Sequence, residues 1–206
     1  MIRHVIFDFG NVLARFAPRD MVARFEPNPH NADLLTEVVF DFLYWNQADA
    51  GTITDDETKA AFCTRLPEDL HAVACNIYDA WPTLLPPITG MMELAHELKE
   101  KGYTLILLSN ISNKFAAEYR DIPWINALFS IFDGLVFSAP IGMVKPHRDI
   151  FEYVLATHSL LADECVFIDD STRNIDGANA VGIHGVLFNG EVDTLREQLR
   201  ALGVDA

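Results

Sequence analysis

Basic residues are scarce in this chain: 15 Lys and Arg stand against 30 Asp and Glu, a formal net charge of −15 over 206 residues. The pI is about 4.7. Such a surface repels nucleic acid and anionic membranes, so neither is an expected partner. It also opposes an anionic substrate unless a cation reverses the field locally. Cysteine is nearly absent. Cys63, Cys75 and Cys165 are an odd set without a Cys-x-x-Cys, which argues against a disulfide framework and against a zinc site. No apolar run approaches the roughly eighteen residues that span a bilayer. The apolar start is cut at Asp8, so no secretory leader is read and the expected setting is soluble and cytoplasmic. Repeats and low-complexity tracts are missing as well.

What is present can build a core. Half of the residues are hydrophobic, enough for one large domain or one domain with an insertion. Short apolar runs lie at His4–Phe9, Tyr103–Leu108, Gly134–Phe137, Cys165–Ile168 and Gly185–Phe188. Between the later runs the period changes to that of a helix: Met91, Leu94, Ala95 and Leu98 share a face, and Gly102 follows as a stop. Alternating strands and helices predict a parallel sheet covered on both faces. From Arg19 to Trp81 no strand is read. Leu35, Val38, Val39, Phe42 and Leu43 recur at helical spacing. Thr54-Asp55-Asp56-Glu57 has the form of a capping box opening a helix to near Leu66, and Leu70, Val73, Ala74, Ile77 and Tyr78 form another stripe. The expectation is an α/β fold: a Rossmann-like parallel core from residues 1–14 and 86–206, with a helical-bundle cap of about four helices inserted at 15–85.

Ligands of open parallel sheets bind beyond the carboxyl ends of the strands. The residues expected there are Asp8, Ser109-Asn110, Lys145-Pro146 and Asp169-Asp170. Their types suggest phosphoryl chemistry. A carboxylate such as Asp8 can attack phosphorus and hold the phosphoryl group as an acyl phosphate. Mg²⁺ prefers oxygen ligands, typically one or two carboxylates plus phosphate and water, and Asp169 and Asp170 supply carboxylates opposite Asp8. Lys145 can neutralise both nucleophile and phosphoryl, and the Ser109 hydroxyl can donate to phosphate oxygens. Asn174 and Asp176 either cap the helix after the acidic pair or orient it, with Asn174 able to hydrogen-bond a metal ligand. Tyr44-Trp45-Asn46-Gln47, ahead of Gly51, either packs the cap or recognises substrate, with Trp45 the candidate stacking residue.

FDFGNVL, LLSN, Lys145-Pro146 and FIDD together resemble the motifs of the haloacid dehalogenase (HAD) superfamily, in that family's order and at compatible spacing. The resemblance covers nearly all the chain outside the helical insertion, which falls where that family places its cap. Within the superfamily, FDxGNV and FIDDSTRNIDGA are most similar to the group of α-D-glucose-1-phosphate phosphatases and the N-terminal phosphatase domain of soluble epoxide hydrolase. The resemblance implies Asp8 as nucleophile, Asp8, the Gly10 carbonyl and Asp170 as magnesium ligands, Asp169 behind them, and Ser109, Asn110 and Lys145 around the phosphoryl group.

One position departs. Related phosphatases carry a second aspartate where this chain has Gly10; its carbonyl binds magnesium and its side chain exchanges protons with the leaving group and water. Glycine keeps the first function and loses the second. A hexose 1-phosphate, which leaves from a comparatively acidic anomeric hydroxyl, tolerates that loss best, and a sugar phosphate is therefore the expected substrate. Water, Asn11 or a group from the cap can supply part of what is missing. The expectation is a Mg²⁺-dependent phosphatase acting on a small phosphorylated metabolite, favoured as a monomer. Its rivals are a retired enzyme that binds metabolites or partners, a haloacid dehalogenase, against which the Asp169-Asp170 pair counts, and a phosphomutase, against which Gly10 counts.

Overall fold

The computed structural model describes residues 1–206. Five strands, β1 (His4–Phe7), β2 (Thr104–Ser109), β3 (Gly134–Phe137), β4 (Cys165–Asp169) and β5 (His184–Leu187), form one sheet in the order β3-β2-β1-β4-β5. Every pairing is parallel. The strand order reverses beside β1, so the crevice beyond its carboxyl end is the topological switch point of the sheet. The parallel α/β architecture read from the sequence is the one observed. β1 closes at Phe7 rather than Phe9, yet the Asp8 N–H still reaches the Ile168 carbonyl at 2.9 Å, which holds the acid at the strand tip.

Alternation explains the continuous apolar runs. Val5 and Phe7 with Leu105 and Leu107 enter one core, while Ile6 with Ile106 and Leu108 enters the core on the opposite face. A strand covered on both sides has no polar face to show. The helix Thr89–Glu100 buries Met91, Leu94, Ala95 and Leu98, the stripe expected from its period.

Between β1 and β2 the chain is helical. The α-helices before residue 81 are Pro18–Val22, Pro29–Val39, Phe42–Asp49, Asp55–Cys63 and His71–Ala80. The one beyond the expected four is Pro18–Val22, opened by a proline and too short to display a period. The capping box forms as read: Thr54 accepts from the Glu57 N–H and Glu57 accepts from the Thr54 N–H, although the helix stops at Cys63. The stripe through Leu43 is interrupted. Asp41 caps a new helix, accepting from the Leu43 N–H at 2.8 Å. Phe42 and Leu43 consequently leave the apolar face and stand 78% and 61% exposed. Val22, Leu35, Val38, Phe62, Leu70 and Ile77 belong to a core separate from the two that flank the sheet.

This helical segment is tied to the sheet's rim at two places. Asp79 pairs with Lys59 of its own segment at 2.6 Å and with Lys114, beyond β2, at 2.7 Å. The Ser138 hydroxyl donates to the Asp49 carbonyl at 2.6 Å and accepts from the Ile111 N–H at 2.8 Å. Next to it Gly51 has φ +70°, and a Cβ there would lie 2.6 Å from the Ala139 carbonyl oxygen. Gly51→Ala is expected to cost about 1–2 kcal/mol from the left-handed backbone alone, and more from the forced separation. Denaturant midpoints measure it; an unchanged midpoint would contradict the close approach.

Candidate active site

The four strand ends meet as the sheet's order requires. Lys145 is buried and its Nζ sits 2.8 Å from Asp8 Oδ1, 2.7 Å from Asp169 Oδ2 and 3.0 Å from the Leu108 carbonyl. All three ammonium protons therefore have acceptors. Burial works against the lysine's charge, but Asp8 and Asp169 outweigh it and hold its pKa above the ordinary value. Asp8 is pushed the other way: burial raises it, with Lys145 opposing and Asp169 reinforcing the rise. The lysine thus keeps a buried carboxylate available that desolvation alone would neutralise.

Asp169 is fully buried and saturated. Its Oδ1 accepts from the Ser171 N–H at 2.8 Å and from Asn174 Nδ2 at 3.0 Å; its Oδ2 accepts from Asn174 Nδ2 at 3.0 Å and from Lys145. Asn174 is therefore a holder of Asp169. Asp170 points outward. Burial raises its pKa, and the Asn11 amide, donating at 3.1 Å, works in the opposite direction. Asn11 has φ 54° and its Oδ1 accepts from the Phe16 N–H at 3.0 Å, so one side chain fixes the loop after β1 to the loop after β4. Carboxylate oxygens of Asp8, Asp169 and Asp170 come within 4.8 Å of one another. An all-oxygen set of this compactness suits a hard cation of the Mg²⁺ type, and Asp169's saturation leaves Asp8 and Asp170 to face it.

A cavity of about 420 Å³ opens over these groups. Its floor includes Asp8, Gly10, Ser109 and Asp170, and its walls Phe16, Trp45, Trp81 and Leu85, with Phe42 at the lip. Trp45 lines the cavity and also packs against Phe16, Phe40 and Trp81, with ring centroids 5.2–5.5 Å apart. Asn110 lines the cavity too, but its amide is engaged elsewhere. Its Oδ1 accepts from the Lys145 N–H at 2.8 Å and its Nδ2 donates to the Lys145 carbonyl at 2.9 Å. The Asn110 side chain thus clamps the lysine backbone. His147 is the residue preceding the helix Arg148–Thr157.

The family model for haloacid dehalogenase-like hydrolases matches residues 50–188. The chain belongs to that family. Its relatives include a sesquiterpene phosphatase of Aspergillus oryzae, 27% identical over 198 residues that cover 96% of this chain and 95% of that protein. Bifunctional epoxide hydrolase 2 of Rattus norvegicus is 32% identical over 115 residues, 55% of this chain and 21% of that longer protein. A D-ribitol-5-phosphate phosphatase of Bacteroides thetaiotaomicron is 23% identical over 88% of this chain and 89% of its own. Among solved structures, a HAD-like hydrolase from Porphyromonas gingivalis superposes with a TM-score of 0.71 at 24% identity, covering 97% of this chain and 98% of that one. A HAD enzyme from B. thetaiotaomicron, solved with magnesium and inorganic phosphate, does so with a TM-score of 0.67 at 21% identity, over 92% of this chain and 95% of its own. These likenesses place the fold within the HAD family.

Sequence reasoning missed Asp49. It lines the same cavity from the helical segment, as the last residue of the helix Phe42–Asp49. A signal was present: a negative charge in the last turn of a helix opposes the macrodipole, and a local cost of that kind marks a residue kept for something other than the helix.

Proposed function

We propose that this chain is a magnesium-dependent phosphomonoesterase working through a phospho-aspartyl intermediate on Asp8. The observation that carries this reading is the Asp8–Lys145–Asp169 ion-paired group, with Asp170 beside it, at the floor of a cavity. An Asp8 oxygen attacks phosphorus, and the alcohol leaves with the P–O electron pair. Water then attacks the acyl phosphate and regenerates the Asp8 carboxylate. Asp8, the Gly10 carbonyl and Asp170 are the groups that would hold a divalent cation, which when bound neutralises the approaching phosphate. Ser109 donates to the phosphoryl oxygens, Lys145 orients the nucleophile, and residues 15–85 act as the cap over residues 1–14 and 86–206. No helix is long and apolar enough to cross a membrane.

For the substrate, the cavity wall favours the phosphate of an apolar alcohol over the sugar phosphate expected from Gly10. Phe16, Phe42, Trp45, Trp81 and Leu85 are apolar or aromatic. The two cavity amides, Asn11 and Asn110, each have one donated and one accepted bond within the protein, which leaves each half of its capacity for sugar hydroxyls. The name of the A. oryzae relative agrees with an apolar alcohol. The sugar-phosphate reading keeps the support of the ribitol-phosphate relative and of aromatic rings that can stack on a sugar. Phosphate release from prenyl or long-chain alkyl phosphates and from hexose 1-phosphates, with Mg²⁺ or EDTA, separates the two. The expected outcome is release that EDTA reduces to background, with kcat/KM at least about tenfold higher for the apolar esters, the discrimination that a few buried methylenes provide. The reverse ranking would restore the sugar phosphate.

A further inference from the structure

We propose that Asp49 is the general acid and base of this site, delivered by the cap to the position that Gly10 leaves without a carboxylate. The inference rests on the phosphatase reading above and adds the residue that handles the proton. Three independent observations support it. Asp49 and Gly10 line one cavity with Asp8. The Asp49 carboxylate forms no ion pair, and among the side-chain hydrogen bonds its only contribution is its backbone carbonyl, bound to Ser138. An acid anchored by its backbone and unpaired at its side chain is free to meet a substrate. Finally, the anchoring is built: the Ser138 hydroxyl holds Asp49 and the Gly51 approach to Ala139 holds the turn that follows.

The electrostatics suit the role. Burial raises the Asp49 pKa to about 7, with Asp8 adding to the rise and Lys145 opposing it. Tyr78, on the helix His71–Ala80, also feels the Asp49 charge, and Asp170 lines the same cavity. A group poised near neutrality gives and takes a proton with similar ease. In the first step the Asp49 carboxylic acid protonates the bridging oxygen as its bond to phosphorus breaks and the Asp8–phosphorus bond forms, so the alcohol leaves neutral. In the second step the Asp49 carboxylate takes a proton from the water that attacks the acyl phosphate. Phosphate leaves, Asp8 is again a carboxylate, and Asp49 is again an acid. An alcohol without an acidic hydroxyl needs this help; a nitrophenolate does not.

The test compares an alkyl phosphate with p-nitrophenyl phosphate, in the presence of Mg²⁺, for wild type, Asp49→Asn and Asp49→Asn combined with Gly10→Asp. Nothing lies within 4 Å of a Cβ placed at Gly10, so a side chain can start there without a clash. Asp49→Asn is expected to slow phosphorylation of Asp8 by the alkyl ester about 10²–10⁴-fold, while the nitrophenolate burst is kept within about tenfold and only its steady state slows. Adding Gly10→Asp should recover at least tenfold of the alkyl activity, which repair of a merely structural defect would not do. In wild type, phosphorylation of Asp8 by the alkyl ester should slow as pH rises and Asp49 loses its proton, with no such fall in the nitrophenolate burst; this readout needs no variant to fold. Equal losses in the phosphorylation step on both esters with no recovery, or no loss on either, would overturn the proposal. Wild type inactive on both esters would overturn the phosphatase reading, and the proposal with it.

Discussion

Asp8→Asn is expected to reduce phosphate release by about 10⁵–10⁶-fold, the scale on which removal of a covalent nucleophile acts. Asparagine has the shape of aspartate, so the strand tip and its bond to the Ile168 carbonyl persist. The amide cannot form an acyl phosphate that water reopens, and it no longer offers Lys145 a charge at 2.8 Å. The fold should survive, because Lys145 keeps Asp169 at 2.7 Å and a buried carboxylate whose pKa burial has raised is replaced by a neutral group. Circular dichroism and a melting curve close to wild type, together with loss of turnover, are the expected pair of results. Turnover comparable to wild type in a folded Asp8→Asn protein would remove Asp8 from the reaction. Absence of turnover in wild type itself would favour the retired-enzyme reading, in which Lys145 and Asp170 serve binding alone.

The legible parts of this molecule are those that local rules dictate. Strands such as Val5–Phe7 and Leu105–Leu108 announce themselves because burial on both faces leaves them uniformly apolar. The position of Asp8 follows from β1 lying at the switch point, and the stop at Phe7 moves it by no more than a residue or two. What the sequence hid depends on long-range geometry. Asn110 reads as a ligand-binding amide; that it holds both sides of Lys145, thirty-five positions away, appears only once β2 and the loop after β3 meet. The stripe through Leu43 reads as one face until the Asp41 cap breaks it, because a side chain that starts a helix outweighs periodicity carried across the boundary. Asp49 was hidden because its partners are distant in sequence: the charges it feels lie forty-one residues before it and ninety-six after it, at Asp8 and Lys145.

Lys145→Met carries the largest expected effect on stability, and the reason is electrostatic. Methionine approximates the volume of lysine, so packing against Phe167, whose ring centroid lies 5.2 Å from Nζ, is largely retained. The charge is not. Asp8 and Asp169 are left buried beside each other without their common cation, and the Leu108 carbonyl loses its donor. Breaking a buried ion pair by removing one partner costs about 3–5 kcal/mol. The sign with pH is fixed by which carboxylates are affected. Burial already holds the Asp8 pKa up, to about 7, with the lysine opposing the rise; losing the lysine raises it further, so the folded variant keeps a proton that the folded wild type releases. Stability relative to wild type must then fall as pH rises past about 7, where the folded wild type releases that proton and the variant does not. Unfolding curves at pH 5 and pH 8 measure this; a deficit that does not widen with pH would mean that Lys145 does not neutralise these acids. Lys145→Arg should fail to rescue, since a planar guanidinium fork cannot place its donors on three acceptors that converge on one point within 3.0 Å. Added Mg²⁺ should recover part of the lost stability of Lys145→Met, because a cation held by Asp8 and Asp170 restores positive charge on one side of the gap. Turnover should stay depressed by at least about 10²–10³-fold, because a metal placed on the cavity side cannot hold Asp8 from the Asp169 side, where the lysine orients it for attack.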